Sequence, residues 1–172
     1  MKILLFSILL IWTSTELFPQ GKSSGTLSGE PGYVTINELS TGFGLGKTVV
    51  DYSKFFFGFT TIHGYQINKS FTTSGGTGLL FYNGGALLPL FIDIRFRFDL
   101  RPVTPYLWNQ EGMLVNFSDS QDSKIFAALG GGGQYAFSKN LAANLGIGAM
   151  IQSSFGIRDS YFVLKGGVTY VF

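Results

Sequence analysis

The sequence has no cysteine, a single histidine and few charged residues. Without cysteine there can be no disulfide, no thiolate metal site and no lipidated-cysteine anchor. With only His63, a multi-histidine metal site is excluded, and any Ser-His-acid triad would have to use that residue. Charged residues make up 13% of the chain, against about 25% in soluble domains. The net charge is +2 with scattered basic residues, so we expect no nucleic-acid partner. We also expect no cofactor, because the glycine-rich patterns described below do not fit a nucleotide site.

Long apolar runs are also missing once the N-terminus is passed. A transmembrane helix needs about 20 consecutive apolar residues, and no such stretch follows residue 20 although 45% of the chain is hydrophobic. Any membrane span must therefore consist of β-strands, which cross a bilayer only as a closed barrel. The 172 residues suffice for one domain.

The N-terminus predicts export. In residues 1–20, Lys2 precedes the apolar run ILLFSILLIW and the chain turns polar at Thr13, which is typical of a signal peptide. A short buried helix is the alternative reading. Residues 21–38 are rich in Gly, Ser, Thr and Pro, and we expect a flexible lead-in there. Residues 39–172 then form the predicted barrel.

Alternation of apolar and small or polar residues predicts eight strands in this region. In the clearest strand, Leu88, Leu90, Ile92, Ile94, Phe96 and Phe98 alternate with Pro89, Phe91, Asp93, Arg95 and Arg97. In the fifth strand the alternation breaks after Trp108, which predicts a bulge near Gly112. The eight predicted ranges are 39–47, 55–67, 71–82, 88–98, 103–117, 125–137, 141–152 and 161–172.

The connections predict how the barrel is oriented. Those at 68–70, 99–102 and 138–140 are short, and those at 48–54, 83–87, 118–124 and 153–160 are longer or more irregular. Outer-membrane barrels place short turns in the periplasm and longer loops outside. The even number of strands then places both termini in the periplasm.

The polarity of the two strand faces favours a membrane barrel over a soluble one. The apolar faces would meet lipid, and the charges would turn into a lumen that eight strands leave just wide enough for side chains. Charges crowded there need counter-ions. We therefore expect a lumen ion network among Asp93, Arg95, Arg97 and Lys165, completed by Glu111 or Glu38. In the alternative, one or two of them lie at the rims in water.

Aromatic residues near the predicted short turns indicate an interfacial girdle, which membrane barrels use at both lipid–water boundaries. A stripe of core aromatics would be the alternative. The girdle residues we expect are Phe172, Tyr170, Tyr135, Phe137, Tyr65 and Phe98.

The chain resembles the small eight-stranded outer-membrane barrels of the OmpA and OmpX type, and more narrowly the PorT-like family. The segments that carry the resemblance are YSKFFFGFTTIHGYQIN (52–68), PLFIDIRFRF (89–98) and the closing YFVLKGGVTYVF (161–172). It implies an all-β, eight-stranded antiparallel up-and-down transmembrane barrel in the outer membrane of a Gram-negative envelope. The terminal Phe172 resembles the signal read by the barrel-assembly machinery.

Four local patterns could carry chemistry, and each has a simpler reading. GFGLGKT at 42–48 lacks the first glycine of a phosphate loop, and GGGQYA at 131–136 has no helix to follow it, so both read as barrel strands. Alternation aims His63 at lipid unless Gly64 forms a bulge. A hydrogen-bonded barrel residue is then the simpler reading of His63 than a catalytic one. Asp119 and Asp122 lack a calcium-loop pattern and read as solvated loop residues.

These patterns predict an integral outer-membrane barrel, a monomer with lipid as its partner, that has a structural or surface-interaction role and no enzymatic activity. A narrow, porin-like pore or small-molecule carrier is the alternative. A lipid-modifying enzyme that uses His63 is the second alternative.

Overall fold

The chain forms eight β-strands, as seen in a computed structural model that describes residues 27, 29–45, 54–100, 102–116, 123–154 and 157–172. The strands are β1 (Gly32–Gly44), β2 (Phe55–Gln66), β3 (Phe71–Tyr82), β4 (Gly85–Arg97), β5 (Thr104–Val115), β6 (Lys124–Ala136), β7 (Leu141–Ser154) and β8 (Ile157–Val171).

The strands close into a barrel in which each one pairs antiparallel with its neighbours in sequence. Closure is made by β1 and β8, whose register runs from Val34 opposite Val171 to Gly44 opposite Tyr161. The predicted all-β, eight-stranded up-and-down barrel is confirmed. Closure leaves no unpaired strand edge, which a membrane-embedded sheet could not tolerate. Within the described ranges, no helix is long and apolar enough to span a membrane.

The first strand begins at Gly32 rather than at Leu39, so the last residues of the predicted lead-in belong to the barrel. Val34, Ile36 and Glu38 are buried inside, whereas Tyr33 and Asn37 are exposed outside. In residues 34–37 the apolar side chains face inward and the polar ones outward, the reverse of the pattern in β4. That reversal hides a strand from any reading based on an apolar outer face. The predicted signal peptide lies outside the described residues.

The lengths of the connections differ from the prediction at two of the four positions expected to be long. β3 ends at Tyr82 and β4 begins at Gly85, a left-handed residue with φ of 152°, so this connection is a tight turn. β7 ends at Ser154 and β8 begins at Ile157. In both places residues predicted as loop extend the strands instead. We refer below to the end of the barrel with the 67–70, 98–103 and 137–140 connections as the turn end, and to the opposite end as the loop end.

Neither of the bulges considered for the strands is present. The β4–β5 and β5–β6 registers run without interruption through Gly112, which lies opposite Phe91 and Phe126. Gly64 pairs regularly with Val34. The pattern of β5 looked broken because its outward positions Asn109 and Glu111 are polar, although the backbone alternates normally.

Candidate functional site: the barrel lumen and the outer wall

Strict alternation in β4 separates a charged inner face from an apolar outer one. Asp93, Arg95 and Arg97 are all less than 10% exposed and lie in the lumen. Their sequence neighbours Ile92 and Ile94 are exposed on the outer wall at 61% and 39%. Because side chains along a strand alternate in direction, one sequence segment supplies both the lumen charges and the apolar outer surface.

The centre of the lumen is crossed by a layer of paired charges. Arg95 contacts Asp93 through two hydrogen bonds, Nε to Oδ1 at 2.9 Å and Nη2 to Oδ2 at 3.1 Å. The same guanidinium reaches Glu38 Oε1 at 2.9 Å, and Lys165 Nζ lies 3.9 Å from Glu38 Oε2. Two carboxylates thus face two cations, so this layer is electrically neutral. We refer to Glu38, Asp93, Arg95, Lys165 and Gln110 as the charge layer.

The charge layer connects opposite sides of the barrel. Glu38 and Lys165 come from the neighbouring strands β1 and β8, whereas Asp93 and Arg95 come from β4. Gln110 on β5 donates to Asp93 Oδ2 at 2.7 Å and accepts a hydrogen bond from Lys165. Buried charges are costly unless they are paired and hydrogen-bonded, and here the pairing requires side chains to meet across the lumen.

Trp108 fills the lumen beside this layer. Lys165 Nζ lies 3.9 Å from the centroid of its ring, a cation–π contact. The indole fits because β6 and β7 carry glycine: an added Cβ at Gly130 or Gly148 would lie 2.6 or 2.5 Å from its ring. The same Cβ atoms would lie closer still, at 2.1 and 2.3 Å, to the carbonyl oxygens of Ile147 and Leu129. Glycine in the GGGG run therefore makes room for a large side chain.

Toward the loop end the lumen is filled by apolar and aromatic side chains. Phe56, Tyr82 and Tyr161 form a cluster with ring centroids 5.4 to 6.4 Å apart. Nearer the rim, Lys124 Nζ pairs with Asp159 Oδ2 at 3.2 Å. Between this cluster and the charge layer, a cavity bordered by Phe91, Lys165 and other residues measures about 30 Å³. It has room for about one water molecule.

Arg97 and Glu111, the other two residues predicted for the ion network, have different hydrogen-bond partners from those in the charge layer. Arg97 lies in the lumen toward the turn end and donates to Gln66 Oε1 at 2.5 Å. Glu111 lies on the outer wall, exposed, where it accepts a hydrogen bond from Asn109 at 3.1 Å. The expectation for Glu111 was therefore wrong, and Glu38 takes that place. The signal that identifies Glu38 is its position two residues after Ile36, on the same face as Val34.

The residues predicted for the girdle lie on the outer wall near the turn end. Tyr170 and Phe172 pack with ring centroids 4.7 Å apart, and Tyr135 and Phe137 do so at 5.4 Å. Phe172 is 69% exposed, and its backbone N–H donates to the carbonyl of Tyr33 at 2.9 Å. That hydrogen bond fixes the C-terminal residue against β1.

His63 points outward, as regular alternation requires. Its Nδ1 lies 2.8 Å from the hydroxyl of Tyr33 and 3.3 Å from that of Thr35. Its Nε2 lies 2.9 Å from the hydroxyl of Thr61. These partners are hydroxyls rather than a carboxylate, so the contacts of the imidazole do not form a Ser-His-acid triad. Within the described ranges, no group of three or more His, Asp or Glu side chains could hold a metal ion. Asp119 and Asp122 lie outside those ranges.

Comparisons with solved structures identify the class of the fold. Neisserial surface protein A is 17% identical, with a TM-score of 0.59, over 88% of this chain and 100% of its own. The outer membrane protein OprG from Pseudomonas aeruginosa is 10% identical, with a TM-score of 0.53, over 86% and 98%. The N-terminal β-barrel domain of Pseudomonas aeruginosa OprF is 17% identical, with a TM-score of 0.50, over 83% and 100%.

The chain therefore has the fold of the small eight-stranded outer-membrane barrels. No protein-family model matches the sequence, and a search of curated proteins gives no match. The narrower resemblance to the PorT-like family stays a prediction.

Proposed function

We propose that the protein is an exported, monomeric outer-membrane barrel with a closed lumen, which serves a structural or surface-interaction role and has no enzymatic activity. The observation that carries the proposal is the charge layer: four paired charges and Gln110 cross the lumen between β1, β8, β4 and β5. A lumen blocked in this way leaves the outer wall and the loop-end surface as the parts available to partners.

The orientation in this proposal has the turn end in the periplasm. It rests on the even strand number, on the aromatic residues that flank the turn end, and on Phe172 as the signal for the assembly machinery. Two of the loop-end connections are short, so the loop-end surface offers limited room for a dedicated receptor. The outer wall is then the larger surface available to lipid and to other membrane proteins.

Because the chain has no native cysteine, single cysteines test location and orientation directly. Arg158→Cys at the loop end should react with a membrane-impermeant maleimide in intact cells. Lys139→Cys in a turn-end connection should react only after the outer membrane has been opened. The reverse pattern would overturn the orientation, and recovery of the protein in the soluble periplasm would overturn the proposal.

Removing Phe172 tests the assembly step. The shortened chain loses the exposed C-terminal ring and the hydrogen bond to Tyr33. We expect it to accumulate unfolded in the periplasm, seen as loss of the heat-modifiable band on gels. Phe172→Tyr is the matched control and should still insert. Normal insertion of the shortened chain would contradict the proposed role of the terminal residue.

A further inference from the structure

A group of hydrogen-bonding side chains interrupts the apolar outer wall on β1, β2 and β3. On most of the wall, outward positions are apolar, as at Ile92 and Ile94 on β4 and Leu145 and Ile147 on β7. On β1 to β3 the corresponding positions carry an imidazole and several hydroxyls. We refer to this group as the His63 cluster, and its members are Tyr33, Thr35, Thr61, His63 and Thr73.

The cluster is held in a defined arrangement. The Tyr33 ring stacks beside the imidazole, with centroids 6.1 Å apart and planes 22° from parallel. The Tyr33 and Thr61 hydroxyls each contact a different ring nitrogen. A hydroxyl has one donor and two acceptor positions, so these groups keep capacity for a further partner. Polar groups that face hydrocarbon are costly unless such a partner is present.

A groove lies directly beside the imidazole. It is a shallow depression, largely open on its outer side, and is bordered by Tyr33, His63, Tyr65, Thr73 and Gly75 among others. Gly75, which pairs with His63 across the β2–β3 ladder, lines the groove and adds no side chain to it. An added Cβ at Gly75 would lie 3.9 Å from its nearest neighbour, the Phe91 carbonyl oxygen, so packing does not require glycine there.

The position of the groove indicates what would occupy it. His63 lies three residues before the end of β2, roughly 8 Å inside the turn end for a tilted strand. Tyr65 of the girdle lies between them. Lys69 follows in the β2–β3 turn, where its ammonium pairs with Asp99 at 2.7 Å and keeps donors for a second anion. In the other direction along β2 the outward side chains are Phe59 and Phe57. From the interface toward the hydrocarbon, the wall therefore presents first a cation, then hydroxyls and an imidazole, and then aromatic rings.

We propose that this groove binds a glycerophospholipid of the periplasmic leaflet; the inference rests on the orientation given under the proposed function. The phosphate lies toward Lys69, the glycerol esters accept hydrogen bonds from the His63 cluster, and the acyl chains cover Phe59 and Phe57. The order of these groups in the lipid matches their order on the wall, which an alkyl chain alone would not match.

The single histidine makes the test specific. In tag-free protein labelled with ¹⁵N-histidine, His63 gives the only imidazole signals. Titration with short-chain phosphatidylglycerol in alkyl maltoside micelles should shift them saturably, and further maltoside should not. Gly75→Leu, which fills the groove, should weaken binding by about tenfold, since several hydrogen bonds and the chain contacts are lost together. Thr73→Val is a milder second variant that should weaken binding in the same direction.

The matched control is Gly166→Leu on the outer wall of β8, where a Cβ lies 3.4 Å from a Leu145 methyl group. It adds the same side chain away from the groove and should bind as the wild type does. Equal binding by the wild type and by Gly75→Leu, or no saturable shift in the wild type, would overturn the inference. So would a dimer that Gly75→Leu dissociates, because a second copy of the chain would then occupy the groove.

Heat-modifiable migration shows whether each variant is folded, and this result distinguishes failure of the lipid site from failure of the proposed function. A folded, membrane-inserted barrel that binds no phospholipid contradicts only the lipid site. A chain that does not insert into membranes, or that carries its turn end outside, contradicts the proposed function itself.

Discussion

The lumen and the outer wall of this barrel both contain polar side chains, but they satisfy them in different ways. In the lumen, Arg95 is in contact with Asp93 and Glu38 inside the protein. On the wall, the two ring nitrogens of His63 contact hydroxyls beside an open groove. The lumen charges therefore depend on one another, whereas the wall cluster retains capacity for a molecule from the membrane. Changes on the inner face should cost stability, and changes on the outer face should chiefly alter what binds.

The largest expected effect comes from breaking the charge layer. Arg95→Met leaves Glu38 and Asp93 buried without their shared cation, and a broken buried pair typically costs about 3–5 kcal/mol. In a chain that begins at residue 21, Trp108 is the only tryptophan. Its fluorescence during urea unfolding in vesicles should report the loss.

The control for that variant is Asp99→Asn, which breaks the exposed pair with Lys69 at 2.7 Å and leaves the Lys69 ammonium in place. Exposed pairs contribute about 0–1 kcal/mol, so its unfolding curve should stay close to that of the wild type. Equal losses in the two variants would mean that the charge layer is no more important than a surface ion pair.

A smaller effect is expected from overfilling the space around Trp108. Gly148→Ala places a Cβ 2.5 Å from the indole and 2.3 Å from the Leu129 carbonyl oxygen, and forcing an extra carbon into a packed interior costs about 1–3 kcal/mol. Gly131→Ala is the outward-facing control, where the Cβ would lie 3.3 Å from a Leu107 methyl group. If both substitutions had the same effect in urea unfolding, the glycines of β6 and β7 would not be there to admit the indole.

The smallest effect is expected on the outer wall at Glu111. A carboxylate that faces lipid is unfavourable, though less so than a cation at the membrane midplane. Glu111→Leu should therefore raise the free energy of unfolding by about 1 kcal/mol or less, measured in the same vesicles. Destabilisation comparable to that of Arg95→Met would show that Glu111 has a buried role that its exposure does not indicate.

Sequence periodicity was sufficient for the architecture because alternation of side chains along a strand is a local property. It identified the inward position of Asp93, Arg95 and Arg97 from one segment, PLFIDIRFRF. It failed where the outward positions are polar, as at Asn109 and Glu111 on β5 and at Tyr33 to Asn37 on β1, since an apolar outer face was the criterion. Which acid meets Arg95 depends on distances across the lumen, and these follow from closure of the barrel rather than from any local pattern.

The groove beside His63 was also beyond a reading of one strand at a time. The groove requires Gly75 of β3, which lies opposite His63, and Tyr33 of β1, which lies beside His63. Alternation predicted that His63 faces outward unless Gly64 forms a bulge, and it gave no reason for a histidine to be there. The reason proposed above comes from three strands brought together by the barrel.

The central claim, that the charge layer closes the lumen, is tested most directly by single-channel recording in planar bilayers. Purified wild-type barrel, verified as folded by heat-modifiable migration, should give no discrete conductance steps in 1 M KCl. Steady, ohmic steps from the folded wild-type protein would show that ions pass the layer of Glu38, Asp93, Arg95 and Lys165, and would contradict the account.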